Sequence, residues 1–132
     1  MHALGTFEVQ ITPLPADDYA DAATMGRMLL DKQFVGDITG SAKGQMITGM
    51  GAVKGSAAYS AIERVTGTVS GRSGSFLLQH TGVMHAGTQT LTITIVPDSG
   101  TGALAGIAGA FVLTIEGTVH RYDLSYTLPA AQ

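Results

Sequence analysis

Two residues in this chain have the types and the placement for proton chemistry, Glu63 and His80. A carboxyl group moved from water into apolar surroundings has its pKa raised, and an imidazole beside it exchanges a proton with it near neutral pH. Together they suit a general acid/base pair acting on a polarised carbonyl or an epoxide. The same two residues also suit a buried, mutually satisfied contact that fixes strand register, or a solvated pair at the rim of the fold. Lys32 is a candidate to neutralise Glu63 or to meet an anionic ligand head, although its neighbours Asp31 and Gln33 also suit a rim position. Tyr59, Tyr122 and Tyr126 are candidates to donate phenolic hydrogen bonds to a ligand, or simply to fill the ends of an apolar interior. His120 completes the set of candidate ligand-contacting residues.

Other chemistries find less support. His80 and His85 are five apart, which on a strand turns them to opposite faces, and His2 and His120 have no carboxylate at ligand spacing. No metal or cofactor is therefore expected. The chain has no cysteine, which removes disulfides, thiolate metal sites and a cysteine nucleophile. Val96-Pro97-Asp98-Ser99-Gly100-Thr101-Gly102-Ala103-Leu104-Ala105-Gly106 has the glycines of a phosphate loop. It lacks the lysine, and no helix follows, so a β-turn connection is expected. Gly74-Ser75-Phe76 provides no nucleophile elbow, and no Ser–His–Asp arrangement is legible.

The elements that must position these residues are strands. Eighteen glycines in 132 residues, with many Thr and Val, disfavour helices and favour sheet. Thr6-Phe7-Glu8-Val9-Gln10-Ile11-Thr12 and Thr90-Leu91-Thr92-Ile93-Thr94-Ile95 alternate polar and apolar, the period of a strand buried on one face. Further strands are expected over Arg27–Val35, Asp37–Met50, Ala58–Ser70, Gly74–Met84, Gly109–Gly117 and Thr118–Leu128, most of them separated by glycine-containing turns. Ala16–Met25 has room for a short helix, a joining loop or a lid. Eight antiparallel strands with short turns make either a sandwich or an up-and-down barrel. Closure removes the exposed edges that a Thr/Val-rich sheet with few charges would leave open. Gly40, Gly44, Gly67 and Gly82 suit the coiling of a small barrel. The expected fold is all-β: one closed, antiparallel, eight-stranded barrel of the calycin-like kind, a single domain over residues 1–132.

Alternation assigns the faces. A two-residue loop at Gly71-Arg72, as a type II′ turn, pairs Ser70 with Ser73 and sets Glu63 opposite His80. Tyr59, Ala61, Glu63, Val65 and Val69 then share the more apolar face with Phe76, Leu78, His80 and Met84. Ile62, Arg64, Leu77 and Val83 face out. The same rule turns Phe7, Val9, Ile11, Met28, Leu30, Lys32 and Phe34 inward. Leu91, Ile93, Ile95, Phe111, Leu113 and Ile115 follow, with His120, Tyr122, Leu124, Tyr126 and Leu128 from the last strand.

Composition limits the partners. Charged residues make up 13% of the chain, against about 25% in typical soluble domains. The net charge is −3 and there is no basic cluster, so no nucleic acid partner is expected. No apolar run reaches the ~20 residues of a membrane helix, and the first residues lack the basic start and apolar stretch of a signal peptide. A cytoplasmic protein without a membrane partner is expected. Low charge together with outward Ile62, Leu77 and Val83 leads to an expected homo-oligomer.

Several segments also carry a family resemblance: Asp31-Lys32-Gln33-Phe34-Val35-Gly36-Asp37, Ala61-Ile62-Glu63-Arg64-Val65-Thr66-Gly67-Thr68, Gly71-Arg72-Ser73-Gly74-Ser75-Phe76-Leu77-Leu78-Gln79-His80 and Val96-Pro97-Asp98-Ser99-Gly100-Thr101-Gly102. In this order they resemble the bacterial family known as domain of unknown function 3224, from Gly5 to Leu128. The resemblance implies an eight-stranded barrel similar to plant allene oxide cyclases and dirigent proteins. Those barrels hold hydrophobic or reactive small molecules and steer cyclisation or coupling without metal or organic cofactor, usually as oligomers. The family has no established activity, and no catalytic residue is carried over. Three readings follow: a barrel binding a small hydrophobic molecule in its lumen, a cofactor-free isomerase or cyclase using Glu63 and His80, and a filled structural barrel.

Overall fold

The structure, a computed structural model, describes residues 1–15 and 24–130. Eight strands follow one another: β1 (His2–Leu14), β2 (Met25–Gly36), β3 (Ile38–Met50), β4 (Ala57–Val69), β5 (Arg72–His85), β6 (Thr88–Ile95), β7 (Ala108–Glu116) and β8 (Val119–Thr127). Each pairs antiparallel with the next, and β8 returns to β1 from His2↔Ser125 to Phe7↔His120. The barrel is therefore closed, as the alternation and the need to hide sheet edges require. Most of the expected Ala16–Met25 segment, residues 16–23, lies outside the described residues, and Met25 already opens β2.

The β4–β5 turn differs from expectation. Its central residues are Ser70 and Gly71, with φ 48° and 85°, and Val69↔Arg72 is the closing pair. Two successive positive φ values match a type I′ turn, whose twist fits the flanking strands. Glu63 consequently pairs with Leu78, and His80 with Ala61. The register has slipped by two from the expected one. Because the side-chain period of a strand is two, the faces survive the slip: Glu63 and His80 both point inward, but as diagonal neighbours rather than an opposed pair.

The two ends of the barrel differ. At one end the β6–β7 connection is not a simple β-turn. It runs beside β5, with the Leu77 amide donating to Ser99 Oγ at 3.0 Å and the Ser75 amide to Thr101 Oγ1 at 3.0 Å. A 3₁₀ turn at Gly102–Leu104 then drops Leu104 and Ile107 onto the core, both fully buried. With Ile38, Val69, Phe76, Phe111 and Leu124 they fill that half of the lumen. At the other end no described residue forms a plug over the inward side chains. Ile11 and Ile115, inward by alternation, are 49% and 59% exposed because they stand at this mouth.

Leu104 is the side chain that stops the closed end, and its removal leaves a cavity that a short loop cannot collapse. Leu104→Ala is expected to lower unfolding stability by about 2–5 kcal/mol, read from urea denaturation. A loss under about 0.5 kcal/mol, the range of ordinary surface changes, would show that the loop does not carry the closed half.

Candidate functional site

Three charged or polar side chains meet where the filled half gives way to the open one. Lys32 comes from the middle of β2, Glu63 from β4 and His80 from β5, and all are buried. Lys32 and Glu63 are separated by β3, and the small inward residues of β3 make the contact possible. Lys32 pairs with Ala42 and Leu30 with Gly44; Ala42 in turn pairs with Val65 and Gly44 with Glu63. A Cβ on Gly44 would collide with the backbone of Ile62 and Glu63, so glycine both lets β4 approach and leaves room for the lysine side chain to cross.

The Lys32 ammonium donates to Glu63 Oε1 at 3.0 Å and stands 3.0 Å from Oε2. On its other side it lies 4.9 Å from the centroid of the Phe7 ring, a cation–π contact that offsets part of its desolvation. His80 Nε2 is 3.3 Å from Glu63 Oε2. That distance is within ion-pair range, but the geometry is off the line of a good hydrogen bond, and both atoms lack a well-aligned partner. Burial pushes the Glu63 carboxyl up, but His80 and Lys32 together outweigh it and hold the pKa below the ordinary glutamate value. The upward shift expected for a carboxyl in an apolar lumen is thereby overturned: two partners inside the lumen favour the charged form more than burial disfavours it.

A cavity of about 460 Å³ opens above the trio. Lys32 and His80 line it, whereas Glu63 lies behind them with no exposed side-chain surface. Tyr59 and His120 also line it. The Tyr59 ring lies across β5 at Gly82, its cross-strand partner, where any Cβ would occupy the position of the ring. Its centroid is 6.3 Å from that of His80. Burial, and secondarily the Glu63 charge, raise the Tyr59 pKa, so its phenol keeps its proton. His120 stacks obliquely on Phe7, with centroids 5.2 Å apart.

Tyr122 and Tyr126 stand apart from this group, in the filled half. The Tyr122 hydroxyl accepts from the Ile38 amide at 2.9 Å and lies within hydrogen-bonding distance of the Val35 carbonyl at 3.1 Å. It pins β8 to the β2–β3 corner. Tyr126 reaches Ser70 Oγ at 3.4 Å. Neither lines the cavity, and their hydroxyls are spent within the protein. What the sequence reading missed is the mouth: Met46, Thr48, Met50 and Gln89 line it beside Met28 and Met84. The signal was present, since Gly40, Ala42, Gly44 and Met46 occupy alternate positions of β3 and share a face. Among the described residues no group of three or more His, Cys, Asp or Glu could hold a metal ion, and no helix is long and apolar enough to cross a membrane.

Removing one member of the trio strands a charge in the core. Lys32→Met is expected to cost about 3–5 kcal/mol, and Lys32→Met with Glu63→Leu to recover most of that loss; strictly additive losses in denaturant would refute the pairing. The depressed Glu63 pKa also sets a pH dependence. Its stabilisation is fully present above the ordinary glutamate range and is lost as pH falls through the lower, folded-state value. Glu63→Gln should therefore flatten the acid side of the thermal stability profile, and an unchanged acid limb would contradict the assignment.

Sequence and structure comparisons agree on the wider relationship. The family model described as "Protein of unknown function (DUF3224)" matches residues 3–126. A solved structure of a DUF3224-family protein of unknown function from Shewanella oneidensis MR-1 is similar to this chain at 42% identity and a TM-score of 0.92. The match covers 99% of this chain and 98% of that one. No curated protein matches. The chain belongs to the DUF3224 family.

Proposed function

We propose that this member of the DUF3224 family binds a small, mainly apolar molecule in the open half of its barrel. The observation that carries this reading is the division of the lumen: one end is sealed by Leu104 and Ile107, while the other keeps a cavity of about 460 Å³. That volume lies in the range of small-molecule sites, about 300–1,000 Å³, which combine apolar walls with a few polar groups. Here the walls come from residues such as Val9, Leu30 and Leu113, and the polar groups from Tyr59, His80 and His120. The space among the described residues supports this reading over a filled structural barrel. The family resemblance implies a barrel similar to those of allene oxide cyclases and dirigent proteins, and this fold-level analogy points the same way, because those barrels hold small apolar molecules.

A second reading, cofactor-free isomerisation or cyclisation, has one specific observation in its favour: a carboxylate held in its charged form beside an imidazole that borders the cavity. In this reading the proton carrier is His80 rather than Glu63, which lies behind it and positions the ring. Fold alone does not choose between binding and catalysis.

Native mass spectrometry of the protein from its own host, followed by organic extraction, tests the binding reading. A retained molecule of fewer than about 30 heavy atoms, a drug-sized occupant for such a cavity, is the expected result. An empty protein that also shows no thermal shift across a panel of apolar metabolites would overturn it. Self-association is a further part of the proposal, since Ile62 and Val83 remain 52% and 47% exposed on the outer wall. Sedimentation at micromolar concentration should give more than a monomer, and a single monomeric species would refute this.

A further inference from the structure

The polar floor of the cavity restricts what its occupant can carry. His80 is 3% exposed, and its Nε2 is turned to Glu63 without accessible surface. Nε2 stands 3.3 Å from a carboxylate oxygen, and although the pair is off the line of a good hydrogen bond, a ring lone pair facing that oxygen would be repelled. In the neutral ring the proton therefore belongs on Nε2 and Nδ1 is left as a lone-pair acceptor. Nδ1 has no hydrogen bond to any described residue, and the ring borders the cavity. Tyr59, which also borders the cavity, has a hydroxyl without a described partner and supplies a donor. A buried acceptor and a donor on one small floor ask for a group that donates and accepts at once.

Charge narrows the choice. Lys32 is the one lysine or arginine among the described residues lining the cavity, and its ammonium is already committed to Glu63 and to the ring of Phe7. An anionic head would meet no free cation and would lie near the Glu63 carboxylate. Among the described residues lining the cavity a cationic head would find no carboxylate. Around the mouth, Met28, Met46, Met50 and Met84 offer flexible thioethers that adapt to ring-shaped apolar bodies and make favourable contacts with aromatic edges.

We propose that the ligand is a neutral apolar molecule bearing a hydroxyl group, which enters head first, donates to His80 Nδ1 and accepts from the Tyr59 phenol. This rests on the binding reading above and adds the class of molecule bound. Glu63 acts through His80 as a positioning residue: it fixes the tautomer that leaves Nδ1 open. Lys32 keeps Glu63 charged and contributes nothing to the ligand directly.

Calorimetric titration of the intact protein with 2-naphthol, 2-methoxynaphthalene and naphthalene tests the idea without any mutation. The hydroxyl compound is expected to bind at least about tenfold more tightly than its methyl ether, because the ether cannot donate and leaves a buried acceptor unpaired. His80→Phe should reduce that ratio to about one, since it removes Nδ1, and Tyr59→Phe should reduce it in part. Bound 2-naphthol should also emit as naphtholate, an excited-state proton transfer that needs a base at the hydroxyl; His80→Phe should abolish it. Equal affinities for all three probes, or a hydroxyl preference that survives both substitutions, would overturn the proposal while leaving apolar binding intact. If none of the three binds, the binding reading falls and the proposal falls with it.

Discussion

A glutamate with no exposed side-chain surface is the constraint on which the interior of this barrel depends. An isolated carboxylate in such a place would give up its charge rather than its water. Glu63 keeps its charge because Lys32 reaches it from two strands away and His80 flanks it from the neighbouring strand. Each of those approaches requires something of the sheet. β3 must carry small inward residues at Ala42 and Gly44, and the diagonal offset between Glu63 and His80 must be held by the β4–β5 turn. The trio therefore ties together the positions of β2, β3, β4 and β5 more tightly than apolar packing alone would. A hydrophobic set at the same level could have stabilised the fold as well, so stability by itself does not account for the charges at the cavity floor.

The barrel divides at that level. Toward the β6–β7 connection, aromatic and aliphatic side chains fill the lumen, Tyr122 ties β8 to the corner between β2 and β3, and Leu104 and Ile107 form the stopper. Toward the mouth the strands continue but no connection folds inward among the described residues. Among the described residues a single ladder pair, Thr94↔Ala110, joins β6 to β7, and the stretch that would otherwise extend β6 pairs instead with β5 before it supplies the stopper. One long connection thus completes the wall and closes one end.

The roles of the polar residues follow from depth rather than from chemistry in isolation. Glu63 is held in its charged form but has no access to the cavity. His80 has access and an unpartnered nitrogen. Tyr59 has access and a proton that burial keeps in place. His120 is presented through its stacking on Phe7. The tyrosines of the last strand, identical in type to Tyr59, spend their hydroxyls on the β2–β3 corner (Tyr122) and on the Ser70 hydroxyl (Tyr126).

Strand count, face assignment and the inward set of Lys32, Tyr59, Glu63, His80 and His120 were all legible in the sequence, because a period of two needs only local alternation to be read. A register error of two at Ser70-Gly71 left that set untouched for the same reason. Three things needed the tertiary structure. Depth along the barrel separated Tyr59 from Tyr122 and Tyr126, and alternation carries no information about height. The shift of Glu63 below rather than above its ordinary pKa depended on His80 and then on Lys32, a partner 31 residues away that meets it only across the small residues of β3. The stopper came from a glycine-rich connection whose sequence reads as a turn, and only the packing of Leu104 and Ile107 onto a distant core decided which end of the barrel is shut.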